Sequence, residues 1–452
     1  MPRVARKLLL CLLLTAAKAQ ANGRFPETNQ LVVEPGNPDH AVVRATFGLL
    51  VTRDHGASWQ LVCEDAFGPQ NTDPPLALLA GGVLVLGLED GVSRSDALGC
   101  SFARAGGLPS DQRVRDVTAS VGEPGTAWVL TADDAASRLW LSTDSGDSFD
   151  EAAVLAEASA VTLDVAPSNP DVVYVSGVTR DAGVLFRSRD RGARFEPFSI
   201  PGASGSKVPY IAAIDPTDEN TVYVRTYGIP GALLQTRDGG ESFSERPFEM
   251  PTPVQGFALS GDGSLLVASN PFDGTFRASR ERFEFERVRC QGASCLGFAG
   301  DALLGCGSES LDGFVIGISR DRGATFSRLL AQSCMEGPVG CPQASGVASA
   351  CATTWPELRA RLGAERCEPV DVEPSTACFG ESGAGGAGSD PELAGATGGE
   401  GDVPRAPTAD ASSGAGCGCR AAAPGGHPSF SACLLALMLA RVARQRARAA
   451  RS

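Results

Sequence analysis

Eight acidic residues in short turn-like segments are the side chains of this sequence with the clearest chemical potential. They are Glu89, Asp90, Asp133, Asp134, Asp181, Asp273, Glu309 and Asp312. Carboxylate oxygens are the ligands that Ca²⁺ prefers, so a cluster of these residues would bind Ca²⁺ or a basic ligand. The alternative is that they are solvated turn residues, because Asp is common in turns for its local hydrogen bonds.

Other chemistries find less support in the composition. The chain has three His residues (His40, His55 and His427), and none of them forms an HExxH or His-x-His pattern, which argues against a His-based zinc enzyme. Its 53 acidic residues outnumber its 39 basic residues, giving a net charge of −14. That balance argues against a nucleic-acid partner, since such proteins usually carry a basic face. No cofactor other than Ca²⁺ is indicated.

A repeated octapeptide indicates the elements that must position these acids. Five segments match [ST]-x-D-x-G-x-x-[WF], beginning at Thr52, Ser142, Ser188, Thr236 and Ser319. Degenerate copies begin at Ser95, where Ala97 occupies the Asp position, and at Ser279, where the Gly is missing. The Asp, Gly and aromatic residues of the intact copies are Asp54, Gly56 and Trp59; Asp144, Gly146 and Phe149; Asp190, Gly192 and Phe195; Asp238, Gly240 and Phe243; and Asp321, Gly323 and Phe326.

We call this octapeptide the box, and each of its four defined positions has a structural explanation. The Asp carboxylate can accept hydrogen bonds from the backbone N–H groups just ahead of it. The Gly supplies a positive φ, the Ser or Thr hydroxyl ties the loop entry, and the aromatic ring pins the returning strand. We therefore interpret each box as the tip of a β-hairpin, with structural rather than catalytic residues.

The flanks of the boxes predict the fold. Strand-like segments at 161–165, 172–175, 184–187 and 194–198 surround the third intact box, and 211–214, 221–224, 232–235 and 242–248 surround the next. Four short strands in about 43 residues form a propeller blade. The sequence thus predicts an all-β, seven-bladed β-propeller over residues 30–331. The loops between second and third strands share one face of such a ring, where we expect the acids to converge.

The boxes resemble those of the Asp-box (BNR) repeat family, which includes sialidases and sortilin-type propellers. The resemblance covers two thirds of the chain and implies the fold more than a function. Sialidases carry an Arg triad, a Tyr–Glu nucleophile pair and an Arg-Ile-Pro motif, and this tripeptide is missing from the sequence. Tyr174 and Tyr223 fall at equivalent second-strand positions, which indicates packing.

Binding is therefore the favoured function. The ligand would be an extracellular glycan or protein, bound without catalysis. The alternative is an extracellular glycoside hydrolase of the sialidase-like kind, which would need two carboxylates about 5–10 Å apart beside a sugar-sized cleft.

The cysteines predict a second structural unit. A cap at residues 332–379 contains five of ten cysteines that form an even set suited to five disulfides, and it contains a short helix expected to begin at Thr354. We expect Cys63 and Cys100 to bridge neighbouring blades, and one disulfide to tie the cap to the propeller. The ten candidates are Cys63, Cys100, Cys290, Cys295, Cys306, Cys334, Cys341, Cys351, Cys367 and Cys378.

The two ends of the chain indicate delivery to the cell surface. Residues 1–21 have the basic, apolar and small-residue order of a secretory signal peptide, and residues 380–416 form a flexible Gly/Ala/Ser-rich linker. Residues 417–452 resemble the myxobacterial C-terminal sorting signal, with Cys417 and Cys419, an apolar segment and an Arg cluster.

This resemblance implies processing at Cys417 or Cys419 by a sorting protease, and membrane contact only through the tail, by a transmembrane helix. Removing both end segments would remove ten basic and no acidic residues and change the net charge from −14 to −24.

Overall fold

Seven four-stranded antiparallel sheets make up the fold. The structure is a computed structural model, and it describes residues 27–68, 73–97, 99–109, 112–133, 136–180, 182–369, 371 and 378. Each sheet consists of four strands that follow one another in the chain. The predicted all-β, seven-bladed propeller is confirmed. The predicted signal peptide, linker and sorting segment lie outside the described residues.

The strands have the following bounds. Blades one and two are β1 (Thr28–Glu34), β2 (Asn37–Ala45), β3 (Gly48–Thr52), β4 (Gln60–Cys63), β5 (Leu76–Leu78), β6 (Leu84–Leu88), β7 (Gly91–Ser95) and β8 (Phe102–Arg104). Blades three and four are β9 (Val114–Ala119), β10 (Ala127–Ala132), β11 (Ala136–Ser142), β12 (Asp150–Ala156), β13 (Ser159–Val165), β14 (Val173–Thr179), β15 (Ala182–Ser188) and β16 (Glu196–Ser204). Blades five to seven are β17 (Val208–Ile214), β18 (Val222–Tyr227), β19 (Gly231–Thr236), β20 (Phe248–Met250), β21 (Gly256–Leu259), β22 (Leu265–Asn270), β23 (Gly274–Ser279), β24 (Glu286–Arg289), β25 (Cys295–Ala299), β26 (Ala302–Cys306), β27 (Ile316–Ser319) and β28 (Ser327–Leu330).

The first strands of the blades contact one another in order, and β25 of blade seven contacts β1 of blade one, so the ring closes. Polar side chains bridge the blades near this inner ring. Gln30 Nε2 donates to the Leu76 carbonyl at 3.0 Å between blades one and two. Ser294 Oγ donates to the Thr28 carbonyl at 2.8 Å between blades seven and one.

The box hairpins have the predicted hydrogen bonds. In the first box, Ser58 N donates to Asp54 Oδ1 at 2.9 Å, Thr52 Oγ1 donates to the same oxygen at 2.8 Å, and Gly56 N donates to Thr52 Oγ1 at 2.9 Å. The same three contacts recur in the other four intact boxes. Each intact box thus has the structural role predicted from its residues.

The box glycines also explain how neighbouring blades pack. Gly56 has φ +84°, and a Cβ placed there would lie 2.8 Å from the Leu329 side chain of blade seven. At Gly192, with φ +85°, a Cβ would lie 3.2 Å from the Trp128 ring of blade three. A Gly is required at this position for two reasons: the backbone has a positive φ, and the preceding blade approaches too closely for a Cβ atom.

The degenerate box of blade two keeps its carboxylate one position early. Cys100 N donates to Asp96 Oδ1 at 2.8 Å, so Asp96 replaces the Asp that is missing at Ala97. In blade five, the fourth strand β20 begins at Phe248, later than the predicted segment 242–248. Tyr174 and Tyr223 are fully buried, which confirms their packing role.

All ten candidate cysteines form five disulfides, but with partners that differ from the expected ones. Cys63 pairs with Cys351 and Cys100 with Cys341, so the predicted Cys63–Cys100 bridge between blades is wrong. Cys290 pairs with Cys378, Cys295 with Cys306 and Cys334 with Cys367. Three disulfides rather than one tie the cap to the propeller.

The cap lies along the outer strand of blade one and contacts the box hairpin of blade two at Cys100. Leu61 of β4 exchanges backbone hydrogen bonds with the cap, at 2.8 Å to Gly337 O and 2.9 Å from Val339 N. This edge pairing brings the cap cysteines to Cys63 and Cys100, which is why the two do not pair with each other. A strand-edge contact of this kind leaves no periodic signal in the sequence.

The cap helix α2 (Gly346–Arg361) is longer than predicted; α1 (Glu309–Asp312) is a single turn in blade seven. Helix α2 begins after Ser345, whose Oγ accepts from Ala348 N at 3.1 Å, and it continues through Pro356. The predicted start at Thr354 is wrong, because Val347 and Cys351 in the first turns are buried against the propeller and extend the helix. Among the described residues, no helix is long and apolar enough to cross a membrane.

Candidate ligand-binding site

The loops between second and third strands form one face of the ring, which we call the loop face. The box hairpins form the opposite face, the box face. The predicted acids are on the loop face: Glu89 and Asp90 follow β6, Asp133 follows β10, Asp273 follows β22, and Glu309 and Asp312 form the ends of α1. Asp134 and Asp181 lie outside the described residues.

The acids of the loop face have partners in their own loop or in a neighbouring segment of the chain. Asp90 pairs with Arg104 at 2.8 Å, and Asp133 Oδ1 accepts from Ala136 N at 2.8 Å. Asp273 Oδ2 accepts from Thr252 N at 2.9 Å.

The two acids of α1 are similarly engaged. Glu309 Oε2 accepts from Gln332 N at 3.2 Å, and buried Asp312 pairs with Arg289 at 2.7 Å. Among the described residues, no group of three or more His, Cys, Asp or Glu side chains is arranged to hold a metal ion. The Ca²⁺ site therefore stays a prediction.

A cavity of about 890 Å³ opens on the loop face. Its walls come from blades one, five, six and seven, with Gln332 of the cap at its edge. Charged side chains are few in the described lining, where Glu27, Arg225 and Glu309 accompany hydroxyl, amide, aromatic and aliphatic groups. The volume is within the range of about 300–1,000 Å³ that is typical of small-molecule sites.

An aromatic and guanidinium cluster forms the blade-five wall of this cavity. Antiparallel pairing of β17 and β18 places Tyr210 opposite Arg225 and Val208 opposite Tyr227. The guanidinium of Arg225 lies 5.7 Å from the centre of the Tyr210 ring, and the Tyr210 and Tyr227 rings are in edge-to-face contact at 6.3 Å between ring centres. Arg225 also donates to the Val254 carbonyl at 2.9 Å and to Gln255 O. Blade six thus holds Arg225 beside the Tyr210 ring, and Tyr210 in turn contacts Tyr227.

Exposed apolar side chains surround the same cavity. Tyr227, Phe272 and Leu311 line it and are 62%, 57% and 43% exposed, and Ile229 follows Tyr227 in the same loop. Of the six large apolar side chains that are exposed among the described residues, these four lie on loops of three consecutive blades. Exposed apolar residues that cluster around a concave site mark a binding surface.

Two carboxyl groups that the sequence analysis missed lie on innermost strands. Asp116 of β9 accepts from Leu163 N of blade four at 2.9 Å, and Asp164 of β13 accepts from Thr118 Oγ1 of blade three at 3.1 Å. Burial raises the pKa of Asp116 to about 7, and the charge of Asp164 adds to this increase. Burial also raises the pKa of Asp164 to about 6. The sequence signal that could have indicated them is an Asp inside an otherwise apolar strand, which in both cases is followed by Val.

These carboxylates join blades three and four rather than form part of the cavity. Each accepts a bond from the neighbouring blade, and each also accepts from the backbone N–H that follows it in its own strand. Neither carboxylate belongs to the described lining of the cavity.

Comparisons with known proteins establish likeness in fold. The sequence matches no protein-family model, and it matches no curated protein. The structure is similar to hydrazine synthase from Kuenenia stuttgartiensis, with 11% identity and a TM-score of 0.50 over 68% of this chain and 99% of that one.

Two further solved structures are similar to the chain. A GH74 enzyme from Niastella koreensis has 12% identity and a TM-score of 0.41, over 70% of this chain and 66% of that one, so the chain spans just under two thirds of that enzyme. YCF48 from Cyanidioschyzon merolae has 14% identity and a TM-score of 0.45, over 62% of this chain and 92% of that one. At such identities the likeness concerns the propeller fold alone.

Proposed function

We propose that this chain is a non-enzymatic binding protein that holds an extracellular glycan or protein at the loop-face cavity. The observation that carries the proposal is the position of Tyr227, Phe272 and Leu311, which are exposed side by side with a concave site of ligand size. The box residues, by contrast, are engaged in their own hairpins, and their resemblance to the Asp-box family supports a scaffold role.

Arrays of glycans and of extracellular proteins test this proposal. We expect the wild-type chain to bind a ligand that the double variant Phe272→Ala/Leu311→Ala binds at least about tenfold more weakly. The matched control is Val121→Ala/Val154→Ala, which removes two exposed apolar side chains away from the cavity. Equal loss in both double variants would contradict the assignment of the site.

The proposal includes secretion and display at the cell surface. Five disulfides support an oxidising compartment, and the sequence-based hypotheses for residues 1–21 and 417–452 supply the route. Surface labelling of cells that produce the full chain should detect it outside. The amount of chain that is displayed at the surface should differ between wild type and the variant Cys417→Ser/Cys419→Ser. Unchanged display would contradict the sorting hypothesis.

A glycoside hydrolase is the second candidate, favoured by the two carboxyl groups of raised pKa. A general acid needs a raised pKa, and two carboxyl groups in one channel are the usual machinery of glycoside hydrolysis. The interblade bonds of Asp116 and Asp164 argue for a structural role instead. We expect no release of reducing ends from neutral polysaccharides. Release that disappears in Asp116→Asn would favour the hydrolase.

A further inference from the structure

Two exposed aromatic rings at the loop-face cavity are held in place before any ligand arrives. The Tyr227 ring is in edge-to-face contact with Tyr210, which lies beside the Arg225 guanidinium. The loop of Phe272 is fixed on both sides, since Phe272 N donates to Asn270 Oδ1 at 2.9 Å and Asp273 accepts from Thr252 N at 2.9 Å. A ligand that packs on these rings therefore needs little loop ordering, which reduces the entropic cost of binding.

Two of the three charged groups that line the cavity are already engaged, and the third, Glu27, carries a carboxylate that disfavours an anionic ligand. Arg225 donates to two backbone carbonyls of blade six, and Glu309 accepts from Gln332 N. Engaged charges offer little to an ionic ligand, because such a ligand would lose its hydration without gaining a full partner. The net charge of −14 also disfavours an anionic ligand at longer range.

Neutral hydrogen-bonding groups also line the cavity. The lining includes Gln255, which is exposed, and Ser308 and Ser310, whose hydroxyl oxygens lie 3.1 Å apart in a hydrogen bond with each other. Hydroxyl and amide groups both donate and accept, so they match the hydroxyl groups of sugars without imposing a charge. The C–H face of a pyranose ring packs on an aromatic ring while its hydroxyl groups point sideways into hydrogen bonds.

We propose, on the basis of the function proposed above, that the ligand of this cavity is a neutral oligosaccharide whose pyranose rings pack on Tyr227 and Phe272. Of the glycan and protein classes left open by the general proposal, the engaged charges and the two aromatic rings favour a neutral glycan. The cavity of about 890 Å³ is large enough for more than one sugar unit.

Calorimetric titration of the purified chain tests this inference. The probes are the neutral hexasaccharides cellohexaose, maltohexaose and chitohexaose, with hexagalacturonate as the anionic counterpart. We expect at least one neutral probe to bind and hexagalacturonate to bind at least about tenfold more weakly. Tyr227→Ala and Phe272→Ala should each weaken the neutral probe by roughly tenfold, whereas Tyr227→Phe should keep most of the affinity.

Val121→Ala is the matched control, because Val121 is an exposed apolar residue outside the cavity lining. Circular dichroism of each variant separates loss of binding from loss of folding. No binding of any neutral hexasaccharide would overturn the inference. So would binding of peptides from a displayed nonapeptide library that Phe272→Ala abolishes, although the general proposal would then survive. Ligand binding that is unchanged in Tyr227→Ala and in Phe272→Ala would overturn both this inference and the general proposal.

Discussion

The box face and the loop face are built from hairpins of the same sheets, yet they use polar side chains differently. On the box face, five hairpins repeat one hydrogen-bond network around Asp54, Asp144, Asp190, Asp238 and Asp321. On the loop face, the loops vary from two to nine residues in length and differ in composition, and exposed apolar side chains appear at Tyr227, Phe272 and Leu311. Repetition marks the residues that build the ring, and departure from repetition marks the residues available for binding.

The largest expected effect comes from the cap, which belongs to neither face. Cys63→Ser/Cys351→Ser removes a bridge that spans 288 residues, and we expect the free energy of unfolding to fall by about 2–4 kcal/mol. Denaturant titration under oxidising conditions measures this loss. Ligand binding at the loop face should persist in the folded variant, because neither cysteine belongs to the described lining of the cavity.

The matched control for this change is Cys295→Ser/Cys306→Ser. That bridge spans 11 residues between directly paired strands, so its removal frees less of the unfolded chain and should destabilise the protein less. An equal or greater loss in the control would show that the cap bridge is not the stronger constraint.

The next effect compares one carboxylate from each face. Asp144→Ala removes the acceptor for Ser142 and Ser148, and we expect a loss of about 1–2 kcal/mol. Asp90→Ala breaks an exposed pair with Arg104 and should cost about 0–1 kcal/mol. Chemical denaturation at pH 7 measures both losses. A larger loss for Asp90→Ala would contradict the view that carboxylates of the box face stabilise the fold more than those of the loop face.

The pH dependence of the Asp144 contribution is a further check on the box. Burial opposes ionisation, but hydrogen bonds from Ser148 and Ser142 lower the pKa of Asp144 to about 2. A lowered folded pKa means that the stabilisation is present above the unfolded value near 4 and is lost as the pH falls towards 2. The stability difference between wild type and Asp144→Ala should therefore shrink over that window.

Asp116 should have the opposite pH dependence. Its folded pKa, raised by burial to about 7, means that the folded chain keeps a proton that the unfolded chain loses above pH 4. The contribution of Asp116 is thus greatest at low pH and is lost as the pH rises from about 4 to about 7. Between pH 4 and pH 8, stability should fall more in wild type than in Asp116→Asn, by an amount on the order of 1 kcal/mol. Urea titrations that give the same change in unfolding free energy with pH for wild type and for Asp116→Asn would contradict the raised pKa.

The smallest stability effect is expected at the proposed site itself. Phe272→Ala removes a side chain that is 57% exposed, so we expect the free energy of unfolding to change by about 0.5 kcal/mol or less. The same variant should lose ligand affinity, which separates stability from binding on the loop face. A melting temperature that is many degrees lower in Phe272→Ala than in wild type would show that Phe272 belongs to the core.

The sequence predicted the repeated part of the fold well, for a physical reason. A box requires an Asp, a positive-φ Gly and an aromatic residue at fixed spacing, and all three requirements are local to one hairpin. The displaced Asp96 of blade two shows the limit, because the hairpin tolerates a shift of one residue that a fixed pattern counts as a loss.

Contacts between distant segments could not be predicted in the same way. The partner of Cys63 depends on the edge pairing of Leu61 with the cap, and the start of α2 depends on the burial of Val347 and Cys351. Asp116 and Asp164 were missed because their role arises only when blades three and four lie side by side. The described acids lie in the loops between second and third strands, as the sequence predicted, but the exposure of Tyr227 and Phe272 follows from the ring as a whole.

Every blade is formed by one uninterrupted stretch of chain, and the seam between blades seven and one is an interface like the other six. Duplication or loss of a coding segment of one box-to-box period would therefore add or remove a complete sheet without exchanging strands between blades. Such a ring can change its circumference by whole units during evolution, while each loop of the binding face diverges independently of its neighbours.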